Sequence, residues 1–172
     1  MRIEVVEHAV EVLTQARNRI DRPPSDTQDR YEIDVMDTTG TPVASVRVVG
    51  EPVPVTDAHV AAFVEQAMAT PDPEHHASNR RYFDDLPHAE TIPAHGAIHV
   101  DGVGNLWVEV YRLPGDDQPR WTVFDPQHRM LGTVAFPQRF LLHQIGSDFV
   151  LGRWTDDLSV EHVRVYDLIK PR

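Results

Sequence analysis

Two aspartate pairs, Asp116-Asp117 and Asp156-Asp157, stand forty residues apart, each in a turn between apolar, strand-like runs. Hard divalent cations are held by clustered oxygen ligands. Four carboxylates brought to one side of a fold would therefore make a cation or basic-ligand site. Aspartate is also an ordinary turn former, because its side chain bonds to nearby backbone. Solvated turn acids are the competing expectation, and spacing alone favours it, since ligating or catalytic carboxylates need burial or convergence. Asp116, Asp117, Asp156 and Asp157 are the candidate ligand- or cation-binding residues. No catalytic residue, no metal ligand set and no cofactor is assigned beyond that divalent cation.

Other chemistries find less support. The chain has ten histidines, of which His75-His76 falls on a polar helical stretch and His95 and His99 flank a strand. None has the His-Glu-x-x-His form, and there is no cysteine to complete a zinc site. Surface or packing roles are expected for them. No Gly-x-Ser-x-Gly is present, and Ser147 in Gly146-Ser-Asp suits a β-turn. Gly102 and Gly104 are hairpin glycines, because no helix follows them to bind phosphate. Trp107, Trp121 and Trp154 lie on strand-like runs and are expected to pack.

The bulk composition narrows the partners. With 27 acidic and 16 basic residues the net charge is −11, which repels phosphate backbones and anionic membrane surfaces. Disulfides are excluded by the lack of cysteine. No apolar run reaches the length of a membrane span. The first residues, Met1-Arg-Ile-Glu-Val-Val-Glu-His8, carry acids where a signal peptide needs an apolar stretch, so a cytoplasmic location is expected.

Several elements must position any site. Ile3, Val6, Val10, Leu13, Arg17 and Ile20 recur at helical spacing, predicting a helix over 3–20, although the β-branched residues also suit a strand at Ile3–Val6. Residues 21–29 are rich in breakers and read as a linker. Residues 31–49 alternate on either side of Thr38-Thr-Gly-Thr-Pro42, which predicts a hairpin. Thr56 or Asp57 caps a predicted amphipathic helix over 57–69, with Val60, Phe63, Val64, Ala67 and Met68 as its apolar face. A second, polar helix is predicted over 73–86, with Asp72 as cap and Pro73 at its first position. From residue 96 onward the pattern is all strand, near 96–100, 105–112, 120–125, 130–136, 140–146, 149–154 and 162–168. Val100, Leu106, Val108, Val123 and Val134 are expected to be buried.

An internal repeat runs through the strands. Val35-Met-Asp37, Val123-Phe-Asp125 and Val165-Tyr-Asp167 share one form, the last two 42 residues apart and the first two 88 apart. The shorter interval is a propeller-blade period, and the longer one is accounted for by a helical insertion at 53–92. The order Tyr31-Glu-Ile-Asp-Val-Met-Asp37, Asn105-Leu-Trp-Val108, Trp121-Thr-Val-Phe-Asp-Pro126, Met130-Leu-Gly-Thr-Val134 and Ile145-Gly-Ser-Asp-Phe-Val-Leu-Gly152, closed by Val160-Glu-His-Val-Arg-Val-Tyr166, resembles the C-terminal part of bacterial six-bladed β-propellers of the NHL-repeat and gluconolactonase-like style. The resemblance implies a mainly β fold, a truncated partial β-propeller of about two to three blades. It divides the chain into an N-terminal helix and linker, 1–30, and a partial propeller, 31–172. The function it implies is a non-catalytic binding or assembly module. The alternative is a metal-dependent gluconolactonase-like or lyase-like enzyme, or a remnant of one. The implied partner is a second copy or another protein, because a short arc leaves the faces of its terminal sheets uncovered.

Overall fold

The computed structural model describes residues 5–6, 12–14, 31–69, 83 and 87–169. Its elements are β1 (Val5–Val6), β2 (Val12–Thr14), β3 (Glu32–Met36), β4 (Pro42–Val48), α1 (Asp57–Met68), β5 (Ile98–Val100), β6 (Leu106–Glu109), β7 (Arg120–Phe124), β8 (Met130–Ala135), β9 (Phe140–Ile145), β10 (Phe149–Thr155) and β11 (Glu161–Asp167). They form three antiparallel sheets, ordered β2-β4-β3, β1-β8-β7-β6-β5 and β11-β10-β9. The fold is therefore mainly β. Every strand expected after residue 96 is present, and β5 to β8 form the predicted four-stranded meander.

The middle sheet is covered on both faces. Its strand β6, one in from the edge, does not alternate: Leu106, Trp107 and Val108 are all buried. Successive side chains point to opposite faces, so each face needs its own core. On one side Leu106, Val108 and Phe124 pack with Ile33 and Val46 of the first sheet. On the other, Trp107, Trp121, Val123 and Val134 pack with Phe140, Leu142, Ile145, Val150 and Tyr166 of the third. Burying each large apolar side chain is worth about 1.5–3 kcal/mol, so the two cores are the main stabilising contacts between sheets. Phe140 reaches that core over Gly152, where an added Cβ would overlap both the ring and the Leu141 carbonyl oxygen.

The predicted N-terminal helix is corrected. Residues 5–6 and 12–14 are strands, β1 pairing with β8 through Val5↔Val134 and β2 with β4 through Val12↔Val48. The β-branched residues that weaken a helix here instead fill two sheet edges, the tertiary partner overriding the helical spacing. The linker at 21–29 lies outside the described residues. Val100 is also corrected: it is 68% exposed, because β5 is the edge of its sheet and the neighbouring cores do not reach that far.

The helical insertion is tied at its base. Val55 N–H donates to the Glu90 carbonyl at 2.9 Å, and Ile92 N–H donates to Val53 at 2.8 Å. Within it, α1 starts at Thr56, whose hydroxyl accepts from His59 N–H while Thr56 N–H donates to His59 Nδ1. This is a capping box, with histidine in the place usually held by Glu or Gln. No residue of α1 is fully buried, and Phe63 is 54% exposed. The second predicted helix lies outside the described residues except for Phe83, which is helical and meets Phe63 edge to face.

Candidate functional site

The aspartates in the structure first do turn work. Four hairpin turns share one arrangement, beginning at Asp37, Asp101, Asp125 and Asp156. In each, the Asp Oδ1 accepts the N–H of the second and fourth residues after it. In each, the Asp carbonyl accepts the N–H of the third residue after it, and the Asp N–H donates to the fourth. The third residue takes a positive φ: Gly40 and Gly104, but also His128 and Ser159. This is the three-residue hairpin loop, a type I turn followed by a left-handed residue.

The carboxylates are correspondingly acidic. Asp37 is held below its ordinary pKa first by the Thr39 hydroxyl, and Asp156 first by His162. Burial pushes Asp101 and Asp125 up, but hydrogen bonds from Asn105 and Trp107 to one, and from Arg129 to the other, outweigh it and hold both low.

The predicted site residues lie close together without converging. Arg139 joins the two turns: its N–H donates to the Asp117 carbonyl, and its guanidinium donates to the Asp156 carbonyl at 3.3 Å and to Asp157 Oδ1 at 2.8 Å. Asp116 pairs with Arg120, and Asp156 Oδ2 meets His162 Nε2 at 3.0 Å. The carboxylates of Asp116, Asp156 and Asp157 thus each face a basic side chain of the same protein. Among the described residues no three His, Asp or Glu side chains are grouped to hold a metal ion.

An apolar groove was not foreseen from the sequence. It consists of two hollows, of about 290 and 320 Å³, that share Ile92, Pro93, Tyr111 and Leu113 as a common wall. The first is closed by α1 through Val60, Phe63 and Val64, with His59 and His88 as polar members. The second is closed by the first sheet and the chain leaving it, through Tyr31, Val48, Pro52 and Val53. Burial pushes the Tyr31 phenol well above its ordinary pKa. The sequence signal is faint: three proline-bearing apolar stretches, Pro52-Val-Pro54, Ile92-Pro93 and Leu113-Pro114, none of which has a strand or helix period. The hollows are at the lower end of small-ligand pockets in size.

A scan against protein-family models, a search of curated proteins and a search of solved structures each found no match to this chain.

Proposed function

We propose that the chain is a non-catalytic binding or assembly module, with its three sheets stacked in the manner of a partial β-propeller. The observation that carries this reading is the groove along Ile92-Pro93, a concave apolar surface framed by three separate parts of the fold. The acidic turns support it indirectly, since Asp116, Asp156 and Asp157 are engaged by Arg120, His162 and Arg139. A ligand suited to the groove is apolar and small, or a short apolar side-chain pair of a partner protein.

The test uses an environment-sensitive apolar dye, anilinonaphthalene sulfonate. Saturable fluorescence enhancement is expected with the wild-type chain. It should fall by more than half in Leu113→Glu and in Val64→Glu, both at the groove wall, with the melting transition kept. Equal enhancement in both variants would place the apolar binding surface elsewhere and end the reading.

A further inference from the structure

The two hollows of the Ile92-Pro93 groove differ in their polar members. In the hollow closed by α1, the described side chains with polar atoms are those of His59, His88, Thr91 and Tyr111. No Asp, Glu, Lys or Arg is among its described members. In the neighbouring hollow the charged member, among the described residues, is Glu51.

The cap of α1 fixes what His59 can offer. Its Nδ1 accepts the Thr56 N–H at 3.2 Å, so the ring proton is on Nε2 and that nitrogen can only donate. Among the described residues neither His59 Nε2 nor the His88 ring has a hydrogen-bond partner. The Thr91 and Tyr111 hydroxyls can donate as well as accept. Every described polar side chain of this hollow can therefore donate, and what satisfies them together is an acceptor. His88 also borders a hollow that holds Asp57 and Glu65, which leaves His59 as the principal donor.

The placement suits a charged head on an apolar body. A charge taken wholly out of water is costly, but His59 is only half-buried and His88 is exposed. A head group beside them keeps part of its hydration, while a tail against Val60, Phe63 and Leu113 loses its own.

We infer that the groove takes an apolar monocarboxylate. Its carboxylate accepts from His59, with His88 beside it, and its tail follows the Ile92-Pro93 wall toward the second hollow. Glu51 disfavours a second acid group there. The chain's net charge of −11 repels anions at long range, so the preference arises from these local donors. The inference rests on the groove reading above and names the class of ligand for it.

The experiment is isothermal titration of the full chain with four eight-carbon probes: octanoate, octan-1-ol, octylammonium and octanedioate. Octanoate is expected to bind saturably, and each of the other three at least about tenfold more weakly. His59→Glu puts at that position a residue usual in a capping box, so α1 should keep its start and the melting temperature should hold. It should weaken octanoate at least about tenfold and turn the preference to octylammonium. His88→Glu, at an exposed residue outside the helix, leaves the cap untouched and should act in the same direction. Equal affinity for octanoate and octan-1-ol would overturn the inference and leave the groove reading standing. Octanoate affinity unchanged in both Glu variants would overturn it too, by placing the carboxylate elsewhere. Absence of octanoate binding would overturn the ligand class alone if the dye still binds and Leu113→Glu still weakens it. If the dye result fails as well, the groove reading falls with it.

Discussion

Trp107 donates its indole N–H to Asp101 Oδ2 across 3.2 Å, which fastens the β5–β6 turn to the core between the second and third sheets. Asn105 donates to the same oxygen at 2.7 Å. Asp101 is 5% and Trp107 1% exposed, so neither group has ready access to water as a substitute partner. Asp101→Ala should lower stability by about 2 kcal/mol, the scale of a buried charge-assisted bond. Asp101→Asn, which keeps one acceptor oxygen, should cost less. Urea unfolding followed by tryptophan emission measures both. Trp121 is the internal control: its Nε1 has no hydrogen-bond partner, so Trp121→Phe should cost less than Trp107→Phe.

Acid should unfold the protein through its turns. Asp37, Asp101, Asp125 and Asp156 all have lowered pKa values in the folded state. A group of this kind binds fewer protons folded than unfolded. Its contribution is complete above the unfolded value of about 3.9, and is lost as pH falls through the folded value. Stability should therefore be flat in this respect near neutrality and fall below about pH 4. Asp101→Asn should reduce the steepness of that fall. An acid limb identical in variant and wild type would mean that other carboxylates carry it.

Two of the four turns hold a non-glycine residue at positive φ, His128 at 63° and Ser159 at 63°. Left-handed backbone costs an L residue roughly 1–2 kcal/mol, part of which glycine returns through its freer unfolded chain. Ser159→Gly, in an exposed turn, should raise the melting temperature slightly. Gly40→Ala, at φ 82°, should lower it. Differential scanning calorimetry on the pair would show whether the sign reverses as expected.

Gly152→Ala should be costly for a different reason. The new methyl group would overlap both the Phe140 ring and the Leu141 carbonyl oxygen. The carbonyl is backbone of the neighbouring strand and cannot swing aside. Overpacking of this kind typically costs about 1–3 kcal/mol, and loosening of the Phe136–Phe140 stack, with ring centres 5.2 Å apart, should accompany it. Near-ultraviolet circular dichroism would report that loosening.

The helix α1 should tolerate what the sheets do not. Phe63 sits at the groove rather than in a core, so Phe63→Asp should cost under about 1 kcal/mol, as exposed substitutions do. Phe124 is fully buried between the first two sheets, and Phe124→Ala should cost about 3–5 kcal/mol. Comparable losses from both would show that α1 packs far more tightly than its exposure indicates.

The strands after residue 96 could be read from the chain because each is local: alternation and turn residues are enough to define a hairpin. β2 could not, and β1 was legible only as an alternative to the helix. β1 and β2 are two and three residues long, and what makes them strands is a partner far away in sequence, so their own spacing suggested a helix. The turn motif was half visible. Asp37 and Asp101 are followed three residues on by glycine, whereas His128 and Ser159 conceal the same geometry after Asp125 and Asp156. The groove left no period at all, since Tyr31, Val53, Ile92 and Tyr111 meet only once the first and second sheets and the insertion are in place. Nothing in the sequence singled out Arg139, whose backbone meets Asp117 and whose guanidinium meets Asp156 and Asp157.

The pairing of Val5 with Val134 sets an order of events during synthesis. The capping strand leaves the ribosome before β2 to β7, while the β8 edge that it covers is made only after them. Until then two valines travel without their ladder, and so do Val12 and Leu13 until β4 follows. The hairpins of the second and third sheets close between neighbours in sequence and fold quickly, whereas long-range pairing is slow. The N-terminal strands are thus the last pieces of an otherwise local assembly, and the interval before they dock is when the nascent chain is most exposed to wrong pairing with its neighbours.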